Sequence, residues 1–195
     1  EIEVARELEI FFLKNGADKL AFSPIIAFGN NSSKPHYTPG NVPLEKNQPI
    51  LMDFGTNVNH YCSDMTRVVF YGDASDKMQE IYNIVLEAQL KSIQCLKPGV
   101  STKEVDEQAR SHIESAGYKE AFMHSIGHGI GLEVHEDPFF STRSKSELLL
   151  EEGMVITIEP GIYLPEIGGV RIEDTVLITK NGCRVLTESS SKKLC

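Results

Sequence analysis

The sequence predicts an α+β fold built on an internal pseudo-two-fold repeat. Three observations predict it. Stretches with helical apolar spacing interleave with short strand-like runs. Two twelve-residue segments resemble each other at an offset of 106 positions, and acids recur at matching places in the two halves. A length of 195 residues fits one domain.

The elements follow in order. Residues 1–15 carry Val4, Leu8, Phe11 and Phe12 at helical spacing, with a stop at Gly16. Residues 50–54 and 66–71 read as strands from their apolar content and flanking turn residues. Residues 77–97 place Met78, Ile81, Tyr82, Val85, Ile93 and Leu96 on a long amphipathic helix that ends before Pro98-Gly99. Ser101 and Glu104 fit a capping box. It opens a third helix with Val105, Ala109, Ile113 and Ala116 on one face, stopped by Gly117. The glycines of 124–136 argue for a turn leading into a strand rather than a regular helix. Residues 154–159 and 175–179 are the remaining strands, and the polar tail 189–193 reads as frayed.

Composition removes several classes of function. Twenty-eight acids against 19 basic residues give a formal charge of −9, the wrong sign for a nucleic-acid binder or a basic membrane-surface helix. No apolar run approaches the roughly 18 residues of a membrane span, and no secretory signal opens the chain. Cys62, Cys95, Cys183 and Cys195 form no C-x-x-C pair, so reduced thiols in a cytoplasmic protein are expected. The chain starts at Glu1, without Met and already inside a helical pattern, and so reads as part of something longer.

The repeat carries the chemistry. LEKNQPILMDFG (44–55) matches LEEGMVITIEPG (150–161), aligning Asp53 with Glu159. SDMTRV (63–68) matches IEDTVL (172–177), aligning Asp64 with Glu173 and Thr66 with Thr175. His36-x-x-Pro39 has a counterpart in His135-x-x-Pro138. A pseudo-two-fold fold would bring the four acids together at its axis. Four uncompensated carboxylates would repel and some would be forced to protonate. A pair of divalent cations resolves this, because hard cations favour carboxylate oxygen. Half of the six histidines, His124, His128 and His135, fall within HSIGHGIGLEVHE (124–136) and supply a further ligand candidate. The segment lacks the Glu of H-E-x-x-H, which removes the zincin reading.

MDFGTNVNHYCSDMTR, HSIGHGIGLEVHEDP, EEGMVITIEPGIY and GGVRIED resemble the signature blocks of the pita-bread metallopeptidases. That family includes Xaa-Pro aminopeptidases, prolidases and methionine aminopeptidases. The resemblance runs from about residue 22 to residue 187. It implies a pita-bread (creatinase/aminopeptidase) fold, with residues 1–195 as one catalytic metallopeptidase domain that forms the C-terminal part of a longer protein. It implies five metal ligands: Asp53, Asp64, His128, Glu159 and Glu173. Asp64 and Glu173 would bridge two ions, Asp53 would hold one, and His128 and Glu159 the other. It further implies that His36 and His135 contact substrate and stabilise its oxyanion, with His124, Tyr163 and Arg171 lining the site and Glu159 shuttling a proton.

EVHEDP, GVRIED and Arg67 point to the Xaa-Pro branch. The expected function is a dinuclear aminopeptidase cleaving the Xaa-Pro bond at peptide N-termini, similar to aminopeptidase P. The alternative is a prolidase cleaving Xaa-Pro dipeptides, and a remote one is a metal-free pita-bread binding module. Four oxygen donors against one imidazole favour Mn²⁺, with Co²⁺ or Zn²⁺ as substitutes. The expected partner is a peptide with proline second, with neither nucleic acid nor membrane. A homo-oligomer is compatible with this reading.

Overall fold

The computed structural model of the chain describes residues 1–140, 148–188 and 190–192. In the first half, α1 (Ile2–Lys14) leads through β1 (Lys19–Leu20) and β2 (Ile25–Phe28) to β3 (Gln48–Phe54). β4 (Thr56–Val58), β5 (Tyr61–Cys62) and β6 (Met65–Tyr71) follow. β2, β3 and β6 form an antiparallel sheet with β3 central, and β1, β4 and β5 form a small separate one. α2 (Asp76–Cys95) and α3 (Thr102–Ser115) come next. The second half adds β7 (Gly127–Gly129), β8 (Glu136–Phe140), β9 (Val155–Ile158), β10 (Gly161–Leu164), β11 (Gly168–Arg171), β12 (Asp174–Thr179) and β13 (Gly182–Val185). Its main sheet has the order β13-β12-β9-β7-β8, and β10 pairs with β11 in a hairpin.

The repeat is visible in this topology. The order β2-β3-β6 in one half corresponds to β7-β9-β12 in the other. The halves meet where β6 and β12 begin: the Glu173 N–H donates to the Thr66 carbonyl at 3.2 Å, and Thr175 Oγ1 donates to the Asp64 carbonyl at 2.7 Å. The matching acids of the two halves therefore arrive at one place.

The helices supply the core. Met78, Ile81, Val85 and Ala88 of α2 and Val105, Ala109 and Ile113 of α3 are buried against Leu51, Val68, Ile156, Ile158 and Val176 of the sheets. Each such aliphatic side chain contributes about 1.5–3 kcal/mol when fully buried. Ser75 Oγ caps α2 by accepting the Met78 N–H, and Ser101 Oγ caps α3 by accepting that of Glu104, the serine half of the capping box. Period-two alternation sends Leu51 and Asp53 of β3 to the same face. The core therefore becomes a polar site within two residues.

Three expectations are corrected. The second helix ends at Cys95, before Lys97-Pro98-Gly99. Gly127–Gly129 is not a turn but strand β7, between β9 and β8. Its glycines allow neighbouring backbone to approach: a Cβ on Gly127 would meet the Thr157 carbonyl oxygen at 2.0 Å, and one on Gly129 the Asp137 oxygen at 2.2 Å. In the tail, residues 190–192 are tied down: Lys192 Nζ lies 2.5 Å from buried Asp174, and Tyr82 donates to the Lys192 carbonyl. Residues 189 and 193 of that tail lie outside the described residues, as does Cys195. Cys62, Cys95 and Cys183 are free thiols. Among the described residues, no helix is long and apolar enough to cross a membrane.

Gly127→Ala should destabilise the protein by at least about 1–3 kcal/mol, the usual cost of overpacking. For a domain of this size that lowers Tm by several degrees. A thermal melt that leaves Tm unchanged would contradict the close strand approach.

Candidate metal centre

Four of the five expected ligands, the acids, lie at corresponding ends of strands. Asp53 is the penultimate residue of β3 and Glu159 directly follows β9, while Asp64 and Glu173 directly precede β6 and β12. His128 is the middle residue of β7. All five line one cavity of about 340 Å³. His36, His124, His135 and Arg171 line it too, so the structure gathers every expected site residue except Tyr163 at its surface. Tyr163, 2% exposed, lies one layer behind the wall.

The side chains are held in detail. His128 Nδ1 lies 2.9 Å from the Gly129 carbonyl, an obligate acceptor. That assigns the proton to Nδ1 and leaves Nε2 with a lone pair, 3.4 Å from Glu159 Oε1 and 3.7 Å from Asp64 Oδ2. Asp64, His128 and Glu173 each offer one ligand atom, and these lie within 4.8 Å of one another. Arg171 donates to Asp53 Oδ2 at 2.5 Å and to Thr66 Oγ1 at 3.1 Å. Thr66 in turn donates to Glu173 Oε2 at 2.6 Å, and Thr157 donates to Glu159 Oε1 at 3.3 Å. Asp53 Oδ1 and Asp64 Oδ1 are buried without a partner.

The electrostatics follow from burial. Burial, reinforced by the charges of Asp53 and Glu159, lifts Asp64 to about 9. Burial lifts Glu159 to about 8 against the pull of Arg171, with Asp53 adding to the rise. Glu173 is raised well above the carboxylate range by burial and by Asp64 and Glu159. Burial keeps His128 neutral, down at about 4. A neutral imidazole, two orphaned carboxylate oxygens and a surplus of acids over one buried arginine make a donor set that fits hard divalent cations.

A second layer orients these groups. His124 Nδ1 lies 2.7 Å from the Ser125 carbonyl, which fixes its proton there. Nε2 then accepts from the Tyr163 hydroxyl at 2.8 Å, and that hydroxyl accepts from Arg171 at 2.9 Å. Burial holds the phenol protonated, up at about 12. Both His124 nitrogens are engaged, so the ring forms wall rather than a hydrogen-bond donor for a ligand. His36 and His135 are exposed at the rim, with the His135 ring centre 4.3 Å from that of His128.

Sequence reasoning missed Thr157 and the role of Thr66 in orienting carboxylates. The signal was present for Thr66, whose repeat partner Thr175 also binds across the junction. It also missed the apolar wall of Phe22, Ile25, Val134 and Phe139, which come from two stretches more than 100 residues apart in sequence with no common spacing.

The sequence pattern of metallopeptidase family M24 matches residues 1–180. The chain belongs to metallopeptidase family M24. It is 49% identical over 194 residues to the Xaa-Pro dipeptidase of Pyrococcus furiosus, covering 100% of this chain and 55% of that protein. The solved prolidase from Pyrococcus furiosus superposes with a TM-score of 0.95, covering 98% of this chain and 56% of that one. The X-Pro aminopeptidase of Thermotoga maritima gives a TM-score of 0.95 at 44% identity, over 100% of this chain and 54% of its own. Aminopeptidase P of Escherichia coli, solved in complex with substrate, gives 0.88 at 28% identity, over 99% of this chain and 50% of its own. The chain thus has the α+β pita-bread fold of the M24 family, and it spans about half the length of the relatives it matches.

The raised carboxylates set the sign of the pH response. In the metal-free protein the raised carboxylates keep protons that the unfolded chain has lost between the ordinary carboxylate range near 4 and about 9, while the lowered His124 and His128 act in the opposite sense only below about 6.5. Above that histidine range the carboxylates alone set the sign, and their stabilisation is lost as pH rises towards about 9. With chelator present, Tm should fall from pH 6 to pH 9. Added Mn²⁺ should raise Tm more at pH 9 than at pH 6, because bound cations displace those protons. A chelated protein whose Tm rises with pH across that range would contradict the charge cluster.

Proposed function

We propose that this chain carries the catalytic site of a metal-dependent hydrolase acting on the Xaa-Pro bond, with Xaa-Pro dipeptides as substrate. The observation that carries the reading is the convergence of Asp53, Asp64, His128, Glu159 and Glu173 on one cavity, with two buried oxygens lacking any protein partner. These five residues would hold two divalent cations, with Mn²⁺ the first candidate ahead of Co²⁺ and Zn²⁺. When bound, the ions supply Lewis-acid polarisation of the scissile carbonyl and make water at the site more acidic.

The chain's own residues do the rest. Glu159, lifted to about 8 and partly open to the cavity, is poised to take a proton from water and deliver it to the departing proline nitrogen. His36 and His135, at the rim, donate hydrogen bonds to the substrate carbonyl as negative charge develops there. His124 and the side chains of Phe22, Ile25, Val134 and Phe139 offer a wall for an apolar ring such as that of proline, and exclude water from it. Arg171 orients Asp53 through its 2.5 Å contact.

The sequence reading put the aminopeptidase ahead of the dipeptidase. The relatives reverse that order, because the Pyrococcus protein bearing the dipeptidase name matches at 49% identity and Escherichia coli aminopeptidase P at 28%. Release of the first residue from longer Xaa-Pro peptides stays as the second reading, supported by the Thermotoga X-Pro aminopeptidase at 44%.

The test is a panel of Xaa-Pro dipeptides and longer Xaa-Pro peptides, assayed with Mn²⁺ and with chelator. Chelator-sensitive hydrolysis that favours dipeptides is expected. A preference for longer peptides would select the second reading, and no chelator-sensitive hydrolysis of either would overturn both. Glu159→Gln should lower kcat by about 10²–10⁴-fold, the usual contribution of a general acid–base. A kcat within a few-fold of wild type would remove Glu159 from proton transfer.

A further inference from the structure

Residues 122–126 cross from the 3₁₀ turn Lys119–Ala121 to β7 without regular secondary structure, yet they carry His124 to the cavity wall. Such a segment has buried backbone groups that need partners. Two residues of α3, one helical turn apart, provide them. Arg110 forms a two-pronged pair with Asp106, Nε to Oδ2 at 2.8 Å and the second nitrogen to Oδ1 at 3.0 Å. The same guanidinium donates to the Phe122 carbonyl at 3.3 Å and to the His124 carbonyl at 3.0 Å. Asp106, fully buried, accepts the Ile126 N–H at 3.2 Å. The guanidinium also stacks 4.4 Å from the Phe122 ring centre, and Phe122 meets the His124 ring edge-on at 5.2 Å. On its far side the segment is fixed to the site, because the Ile126 carbonyl accepts the Glu159 N–H at 2.7 Å.

We infer that Asp106 and Arg110 are positioning residues for the substrate cavity: they clamp three alternate backbone groups of 122–126 and so fix where the His124 ring stands. Neither residue touches the cavity. A planar five-donor group is required, since one ammonium cannot reach a carboxylate and two carbonyls in this fan. The inference deepens the Xaa-Pro reading and rests on it only for the choice of substrate. If the clamp sets the wall and not the acids, its loss impairs binding more than the chemical step.

Arg110→Gln should raise KM for an Xaa-Pro dipeptide about tenfold with kcat within about threefold, the pattern of lost substrate binding. The comparison variant is Ser92→Ala, which removes a hydrogen bond from α2 to the Val105 carbonyl of α3 without touching 122–126. It should lower stability and leave KM unchanged. A second readout needs neither metal nor activity: long-range ¹H–¹⁵N spectra of the histidine side chains in chelated protein. Wild type and Ser92→Ala should show His124 as a single Nδ1-protonated tautomer, and Arg110→Gln should show it averaging between the two. Unchanged KM and tautomer in folded Arg110→Gln overturn the inference, as does an equal rise in KM for Ser92→Ala. Should Arg110→Gln fail to fold, Arg110→Lys carries the same comparison. If wild-type protein hydrolyses no Xaa-Pro substrate, the proposed function fails, and the His124 tautomer alone decides the positioning role.

Discussion

Four carboxylates share one cavity with a single buried arginine, and their mutual repulsion is the constraint on which the rest of the structure depends. Two unit charges about 4 Å apart repel by about 4 kcal/mol near a protein surface, against a typical domain stability of about 5–15 kcal/mol. A domain of this kind cannot keep all four ionised without compensation. In the metal-free chain the response is to hold protons: burial first, and the neighbouring acid charges after it, push Asp64, Glu159 and Glu173 up. The strand junction and the threonines that hold one oxygen each of Glu173 and Glu159 position these acids without neutralising them, and Arg171 on Asp53 offsets only part of their charge.

The location of that cluster follows from the repeat. Asp53 and Glu159 occupy corresponding ends of β3 and β9, while Asp64 and Glu173 occupy corresponding starts of β6 and β12. Both strand pairs are antiparallel, so an acid at the end of one strand faces an acid at the start of the next. Helices α2 and α3 bury their apolar faces in the core, leaving the cavity walls to polar strand ends and to the loops bearing His36, His124 and His135. The chain's formal charge of −9 thus has an unevenly distributed origin: four of its 28 acids are gathered at one point, where they attract cations.

The repeat made this much legible in the sequence, because matched acids on matched strands survive as a pattern even when the flanking residues differ. The helices were legible for the ordinary reason that their apolar period is local, as is the Ser101 cap of α3. What stayed hidden was non-local or ambiguous. Gly127 and Gly129 look like turn residues until the Thr157 and Asp137 carbonyls are seen pressing against them. Tyr163 reads as a wall residue, but its hydroxyl is taken by His124 and Arg171. The tail reads as frayed because its composition is polar, yet Lys192 finds a buried acid in Asp174. The Asp106–Arg110 clamp is an ordinary i,i+4 pair in sequence, and only the fold supplies the carbonyls it grips.

The central claim is that this acid cluster is built around divalent cations. Calorimetric titration of Mn²⁺ into chelator-stripped, folded protein near pH 7.5, repeated in buffers of different ionisation enthalpy, tests it most directly. The account predicts saturable binding of two ions per chain with net release of protons, as raised carboxylates give way to metal. Folded protein that takes up no Mn²⁺, or that binds it without releasing protons, would contradict the account.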